Sequence, residues 1–146
     1  MDSCRIEKGY RHFGHDITDE DHVLEAGLGF AVKTGKGDFI GRDAVLARRD
    51  AGLTRRLLQF RLRDPGPLLY HGEPILRDGR IVGHLTSGNY GHALGAAIGL
   101  GYVPCTGEVA ETVLASAYAI DVAGQWVEAE ASLVPLYDPR SQRVRD

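Results

Sequence analysis

The sequence has two cysteines, Cys4 and Cys105, among 146 residues. That excludes a disulfide framework and fits a reducing cytoplasm. It has no excess of one charge. The formal net charge is −3, so a nucleic-acid partner or an acidic membrane surface has no electrostatic basis. No apolar run approaches the length of a bilayer span, and no signal-peptide pattern opens the chain. A cytoplasmic protein, without membrane or nucleic-acid partners, is expected. Internal repeats and low-complexity tracts are absent. So is any G-x-S-x-G stretch or recognisable set of nucleophile, base and orienting group.

What is present is an ordinary globular composition, 43% apolar and 25% charged. The length suits one or two small domains with a useful core. Nineteen glycines point to many tight turns and hence to a β-rich fold.

Residues 1–17 read as a helix stopped at Gly9, then a loop. Leu28, Phe30 and Val32 alternate and predict a strand near 27–33. A short helix follows from about Gly41 and ends at Gly52. From residue 54 the texture changes. In "RRLLQFRLR", Leu58, Phe60 and Leu62 face one way and Leu57, Gln59 and Arg61 the other, which predicts a half-buried strand. Residues 73–88 form a hairpin around Asp78-Gly79, a type I′ pair. Ile98, Leu100 and Tyr102 alternate in a strand over 96–104. "ETVLASAYAIDV" and "QWVEAEASLVP" read as two further strands joined across Gly124. Six strands at intervals near ten residues predict a small antiparallel barrel or sandwich. Residues 1–53 stand outside that pattern: their lone strand has no partner and their helix has little to cover.

Three clusters invite chemistry. Gly95, Gly99 and Gly101 suggest a dinucleotide loop, but Pro104 follows at once and no helix comes after, so the segment reads as a strand packed closely on a neighbour. His12, His15 and Asp16 have the spacing of a partial metal site. His71, His84 and His92 are scattered elsewhere, so polar loop residues are the better reading and no metal is expected. Cys105, after "GYVP", reads as a buried thiol.

Glu7 is different. It lies between Ile6 and Gly9-Tyr10, in a segment too apolar for a free surface. A carboxylate there needs hydrogen-bond donors. An ion pair with Arg5 or Arg11 supplies them, and so does a ligand. An amino-pyrimidine edge, with two adjacent N–H groups, is well matched. Residue chemistry alone leaves these alternatives even.

The segment "RIEKGYRHFGHDI" resembles a stretch of the aminomethyltransferase family, the glycine-cleavage T-protein and its relatives. The form with "EKGYRH" is most similar to the folate-binding half of sarcosine and dimethylglycine dehydrogenases. "LEAGLGFAVK", "DFIGRDAVLARRDAG", "GHLTSGNYGHALGAAIGLGYVP" and "LVPLYDP" resemble further family segments, in family order, over essentially the whole chain.

The resemblance implies a mainly β protein with minor α. Residues 1–53 would be the tail of an α+β folate-binding domain and residues 54–146 the family's C-terminal β-barrel. In the family the "RIE" segment lies far inside the folate domain, so the chain is expected to be the C-terminal part of something longer. The implied cofactor is tetrahydrofolate, with FAD only in an upstream flavin domain. The implied pterin contact is Glu7. Lys36 takes the place of a basic residue, usually arginine in the T-protein, that meets the folate tail. Lysine cannot form a planar bidentate clamp. Tyr137 matches a tyrosine that reaches back to the folate; beside Pro135 and Pro139 it reads equally as a barrel-closing aromatic. The family's key aspartate falls upstream, so no catalytic residue is assigned. The chain alone is expected to be inactive and to contribute one wall of a folate pocket. A non-catalytic barrel module for docking or assembly is the alternative. Residues 1–25 are expected to be mobile, to pack unlike the family, or to be covered by a second copy through self-association.

Overall fold

Alternating apolar residues set the strands, and positive-φ pairs turn them. The computed structural model describes residues 1–143. Among these, six strands form a closed antiparallel barrel in the order β1-β4-β3-β2-β5-β6. They are β1 (Arg55–Leu62), β2 (Pro74–Arg77), β3 (Arg80–Gly91), β4 (Ala96–Pro104), β5 (Tyr118–Val122) and β6 (Gln125–Ser132). The fold is thus mainly β with minor α. Asp78 and Gly79 have φ of 52° and 79°, which matches the right-handed twist of the flanking strands. Ala123 and Gly124 turn β5 into β6 in the same way, with φ of 52° and 85°.

Leu58, Phe60, Leu62, Ile75, Leu85 and Ile120 fill the barrel. Phe60 meets the Tyr118 ring edge-on at 5.5 Å between centroids. The Tyr118 hydroxyl donates to the Val113 carbonyl at 2.8 Å, and burial pushes its ionisation up to about 12. The two smaller-than-alanine positions of β4 have a steric reason. A Cβ on Gly101 would lie 2.5 Å from Ile75 Cδ1 and 2.8 Å from the His84 carbonyl oxygen. Close strand approach, not phosphate binding, explains that glycine.

Three expectations are corrected. Residues 27–33 are not a strand; turns lead into a 3₁₀ turn at Gly29–Ala31, and Phe30 is 82% exposed. The alternation there has no partner strand among the described residues, and Gly27 at φ 69° breaks extension. Where "ETVLASAYAIDV" begins, residues Ala110–Ala115 form a helix, α3, which seats Val113 in the core before β5 begins at Tyr118. Finally, β1 is buried on both faces from Leu57 to Phe60. Helix α1 (Asp2–Glu7) packs on β3 and β4 and reaches the outer face of β1 through a cluster of Ile6, Leu57, Ile98 and Leu100. Burying Ile6 contributes about 1.5–3 kcal/mol.

So the opening segment packs on the barrel instead of standing free, with Ile6, Glu7, Asp16, Glu25 and Ala26 all buried. Helix α2 (Arg42–Ala51) forms as expected and buries no residue. Cys105 is buried and burial pushes its thiol ionisation up; Cys4 is exposed.

Candidate functional site

Helix α1 ends in two backbone bonds that Gly9, at φ 66°, makes possible. The Gly9 N–H donates to Ile6 O at 2.9 Å and the Tyr10 N–H to Arg5 O at 2.8 Å. This C-terminal motif fixes where the last helical residue, Glu7, points. Glu7 is 5% exposed. Its Oε1 accepts from the backbone N–H of Ala93 at 2.7 Å and of Leu94 at 3.2 Å, in the turn from β3 to β4. Neither the Arg5 nor the Arg11 ion pair forms. Oε2 of Glu7 has no hydrogen-bond partner among the described residues.

Tyr137 lies beside this helix end. Its N–H approaches Glu7 O at 3.4 Å. Its ring lies under the Arg143 guanidinium, 5.5 Å away, and its hydroxyl accepts from Arg143 Nη1 at 3.2 Å. The segment is held on both sides. The Leu136 N–H donates to Gln59 Oε1 at 2.7 Å, and Lys8 Nζ donates to Asp138 O at 2.7 Å and Ser141 Oγ at 3.0 Å. Gln59 Nε2 donates to the carbonyls of Ile6 and Glu7.

Lys36 is elsewhere. It is exposed in the turn after the 3₁₀ segment, beside a shallow cavity of about 490 Å³ lined by Ala31, Val32, Lys33 and Phe39. The backbones of Glu7 and Tyr137 meet, and Lys36 lies on the separate turn after the 3₁₀ segment.

The opposite side of α1 borders an open cleft of about 180 Å³. Arg5, His12, His15, His71, Ser87 and Asn89 contribute to its lining. The His12 and His15 rings lie 4.6 Å apart. Asp16, 1% exposed, organises the rim. Its Oδ2 accepts from Arg5 Nη1 at 2.7 Å and the His12 N–H at 2.9 Å, and its Oδ1 accepts from Thr86 Oγ1 at 2.6 Å. That carboxylate is fully engaged within the protein. Among the described residues no group of three or more metal-ligating side chains converges.

A third buried carboxylate, Glu25, ties the segment before α2 to β1. It accepts from Arg48 Nη2 at 2.8 Å, Thr54 Oγ1 at 2.8 Å and Arg55 Nε at 3.1 Å. Burial pushes its ionisation up, but the bonds from Thr54 and Arg55 and the Arg48 charge outweigh this and bring it down to about 2. Arg55 also lies over the Tyr102 ring at 4.5 Å. Burial first, then the nearby Asp21 charge, pushes the Tyr102 phenol up to about 12.

Sequence reasoning missed Gln59 and Glu25 and gave Asp16 only as a weak metal ligand. A signal existed for Gln59: a carboxamide between Leu58 and Phe60 interrupts an otherwise apolar run.

The chain is a closed β-barrel with a short helix against β3 and β4 and a C-terminal strap over β1. The solved glycine cleavage system aminomethyltransferase T from Bartonella henselae is similar over 94% of this chain and 38% of its own, with a TM-score of 0.79 and 25% identity. The chain belongs to the glycine cleavage T-protein family: residues 55–138 match the model of the glycine cleavage T-protein C-terminal barrel domain. Residues 1–36 match that of the GCVT N-terminal domain. Among curated proteins, 4-methylaminobutanoate oxidase (formaldehyde-forming) of Paenarthrobacter nicotinovorans is 37% identical over 99% of this chain and 17% of that protein. Mitochondrial sarcosine dehydrogenase of Homo sapiens is 39% identical over 99% of this chain and 16% of that protein. An aminomethyltransferase of Halothermothrix orenii is 45% identical over 70% of this chain and 28% of that protein. The chain therefore spans well under a third of each of these curated relatives. No helix among the described residues is long and apolar enough to cross a membrane.

Proposed function

We propose that this chain forms one wall of a tetrahydrofolate pocket in an aminomethyltransferase-type protein. Its parent would be the folate-side portion of an oxidative N-demethylase similar to sarcosine or dimethylglycine dehydrogenase. Residues 1–53 belong to the folate-binding domain and 54–146 to the barrel. FAD belongs to a separate flavin domain upstream, and the chain alone carries no transfer activity.

The observation that carries this reading is the division of labour in Glu7. Oε1 is anchored by two backbone N–H groups, which aims the carboxylate, while Oε2 keeps its acceptor capacity. An amino-pyrimidine edge offers the donor that this oxygen lacks. Tyr137 is assigned to the folate as a second contact. Lys36 is assigned to the acidic tail of the ligand, as a mobile point charge on an exposed turn.

A second reading, a docking module without chemistry, has its own support. Tyr10, Phe13, Phe30 and Ile40 are large, apolar and exposed, and such side chains favour association with another domain or a second copy.

Calorimetric titration of the full-length gene product with 5-formyltetrahydrofolate separates the two. Saturable binding that weakens in Glu7→Gln supports the folate wall. Absence of binding leaves the docking module.

A further inference from the structure

Gln59 is a polar side chain in the most apolar stretch of β1, and it is 4% exposed. It points out of the barrel, under α1 and the strap of residues 133–138. Its carboxamide is used at both ends. Nε2 donates to Ile6 O and, at 3.2 Å, to Glu7 O; Oε1 accepts the Leu136 N–H at 2.7 Å. Only this orientation of the amide works, because the flipped group would set oxygen against two carbonyls and N–H against N–H.

These partners have chemical significance. Glu7 carries the carboxylate aimed at the β3–β4 turn, and Leu136 immediately precedes Tyr137. The helix terminates at Glu7, so its carbonyl has no onward helical donor. It is served by Gln59 and by the long contact from the Tyr137 N–H at 3.4 Å. Lys8 tethers the strap too, but at Asp138 and Ser141, beyond Tyr137. Gln59 grips directly ahead of it.

We infer that Gln59 is a positioning residue: its buried carboxamide locks the Glu7 helix end and the Tyr137 strap into one unit, and so sets the geometry of the folate contact. The inference rests on the folate reading above. Gln59 itself touches no ligand. Its role is to hold two contact residues, on segments far apart in sequence, in fixed relation. A methionine there fills the same space but leaves the Leu136 N–H without an acceptor and Glu7 O with the Tyr137 contact alone. A glutamate keeps the acceptor for Leu136 but turns a carboxylate oxygen toward the carbonyls of Ile6 and Glu7.

The test measures 5-formyltetrahydrofolate affinity per folded molecule, and hydrogen exchange of peptides covering residues 2–9 and 133–139, on the full-length gene product. In Gln59→Met both peptides exchange faster and affinity falls about fivefold to tenfold, the worth of one or two neutral hydrogen bonds. In Gln59→Glu the strap peptide keeps its protection, the helix peptide loses it, and affinity falls as well. A lowered melting temperature with unchanged affinity in both variants would reduce Gln59 to a fold-stabilising residue and overturn the inference alone. Wild-type protein that binds no folate would overturn the folate reading, and this inference with it.

Discussion

Oε1 of Glu7 lies 2.7 Å from the backbone nitrogen of Ala93, 86 residues along the chain. The contact pins the end of α1 to the β3–β4 turn and commits one oxygen of the carboxylate to the fold. The other oxygen accepts no hydrogen bond among the described residues. In the proposed folate reading, structural and ligand-binding roles fall on different atoms of one side chain.

That assignment separates two substitutions. Glu7→Gln keeps an acceptor for Ala93 and Leu94 and presents an amide N–H where the free oxygen was. Its stability should stay within about 1 kcal/mol of wild type. Its folate affinity should fall roughly tenfold to a few hundredfold, the worth of one or two charge-assisted bonds. Glu7→Ala should lose affinity and also about 2–4 kcal/mol of stability, because the buried N–H groups lose their acceptor. Urea denaturation and calorimetry on the same preparations check both. Equal destabilisation by Gln and Ala would contradict the division of oxygens.

Glu25 should make the fold sensitive to acid. Its carboxyl titrates near 2 when folded, against an ordinary value of 4.5. The folded value is depressed, so the stabilisation is fully present above about pH 5 and is lost as pH falls through the folded value. The shift is worth on the order of 3 kcal/mol. Denaturation free energies of wild type and Glu25→Gln should differ most near neutrality and converge as pH falls from 5 toward 2. A difference that does not change with pH would contradict this.

Gly101→Ala should destabilise the barrel by about 1–3 kcal/mol through overpacking, since the new methyl would run into Ile75 and the His84 carbonyl. The companion variant Ile75→Val shortens the obstructing side chain, so the double variant should recover part of the loss. Additive effects in thermal denaturation would rule out the steric explanation.

The shape of the barrel was largely legible in the sequence. Alternation in 55–62 and 96–104 and the Asp78-Gly79 turn each report a local rule, and local rules survive folding. The exceptions are equally physical. Leu28, Phe30 and Val32 alternate, yet a strand needs a partner, and none is there among the described residues. Residues 110–115 look extended by composition but form one helical turn and a half that seats Val113 in the core. Of the candidate site, the burial of Glu7 was legible, because its neighbours in sequence are apolar. Gln59 acts on Ile6 and Leu136, and Asp16 on Arg5 and Thr86. Pairings across such distances leave no local periodicity to read.

Asp16 offers a check on that long-range wiring. Asp16→Asn keeps an acceptor oxygen for the Arg5 guanidinium and the His12 N–H, and its amide can donate to the Thr86 hydroxyl, which then donates to the Leu100 carbonyl. What is lost is the buried carboxylate charge beside Arg5. The cost should be about 2–4 kcal/mol, with faster hydrogen exchange over residues 10–17. Exchange unchanged there would show that the loop is held by other contacts.

Closure of the barrel has a kinetic consequence. Strand β1 pairs with β6, so the first strand to emerge is completed by the last. The strap, which follows β6, cannot dock against Gln59 of β1 until that seam forms. Assembly is therefore governed by a late encounter between distant parts of the chain, which makes for slow folding. An interruption after β4 would leave the edge of β1 open to pairing with other chains.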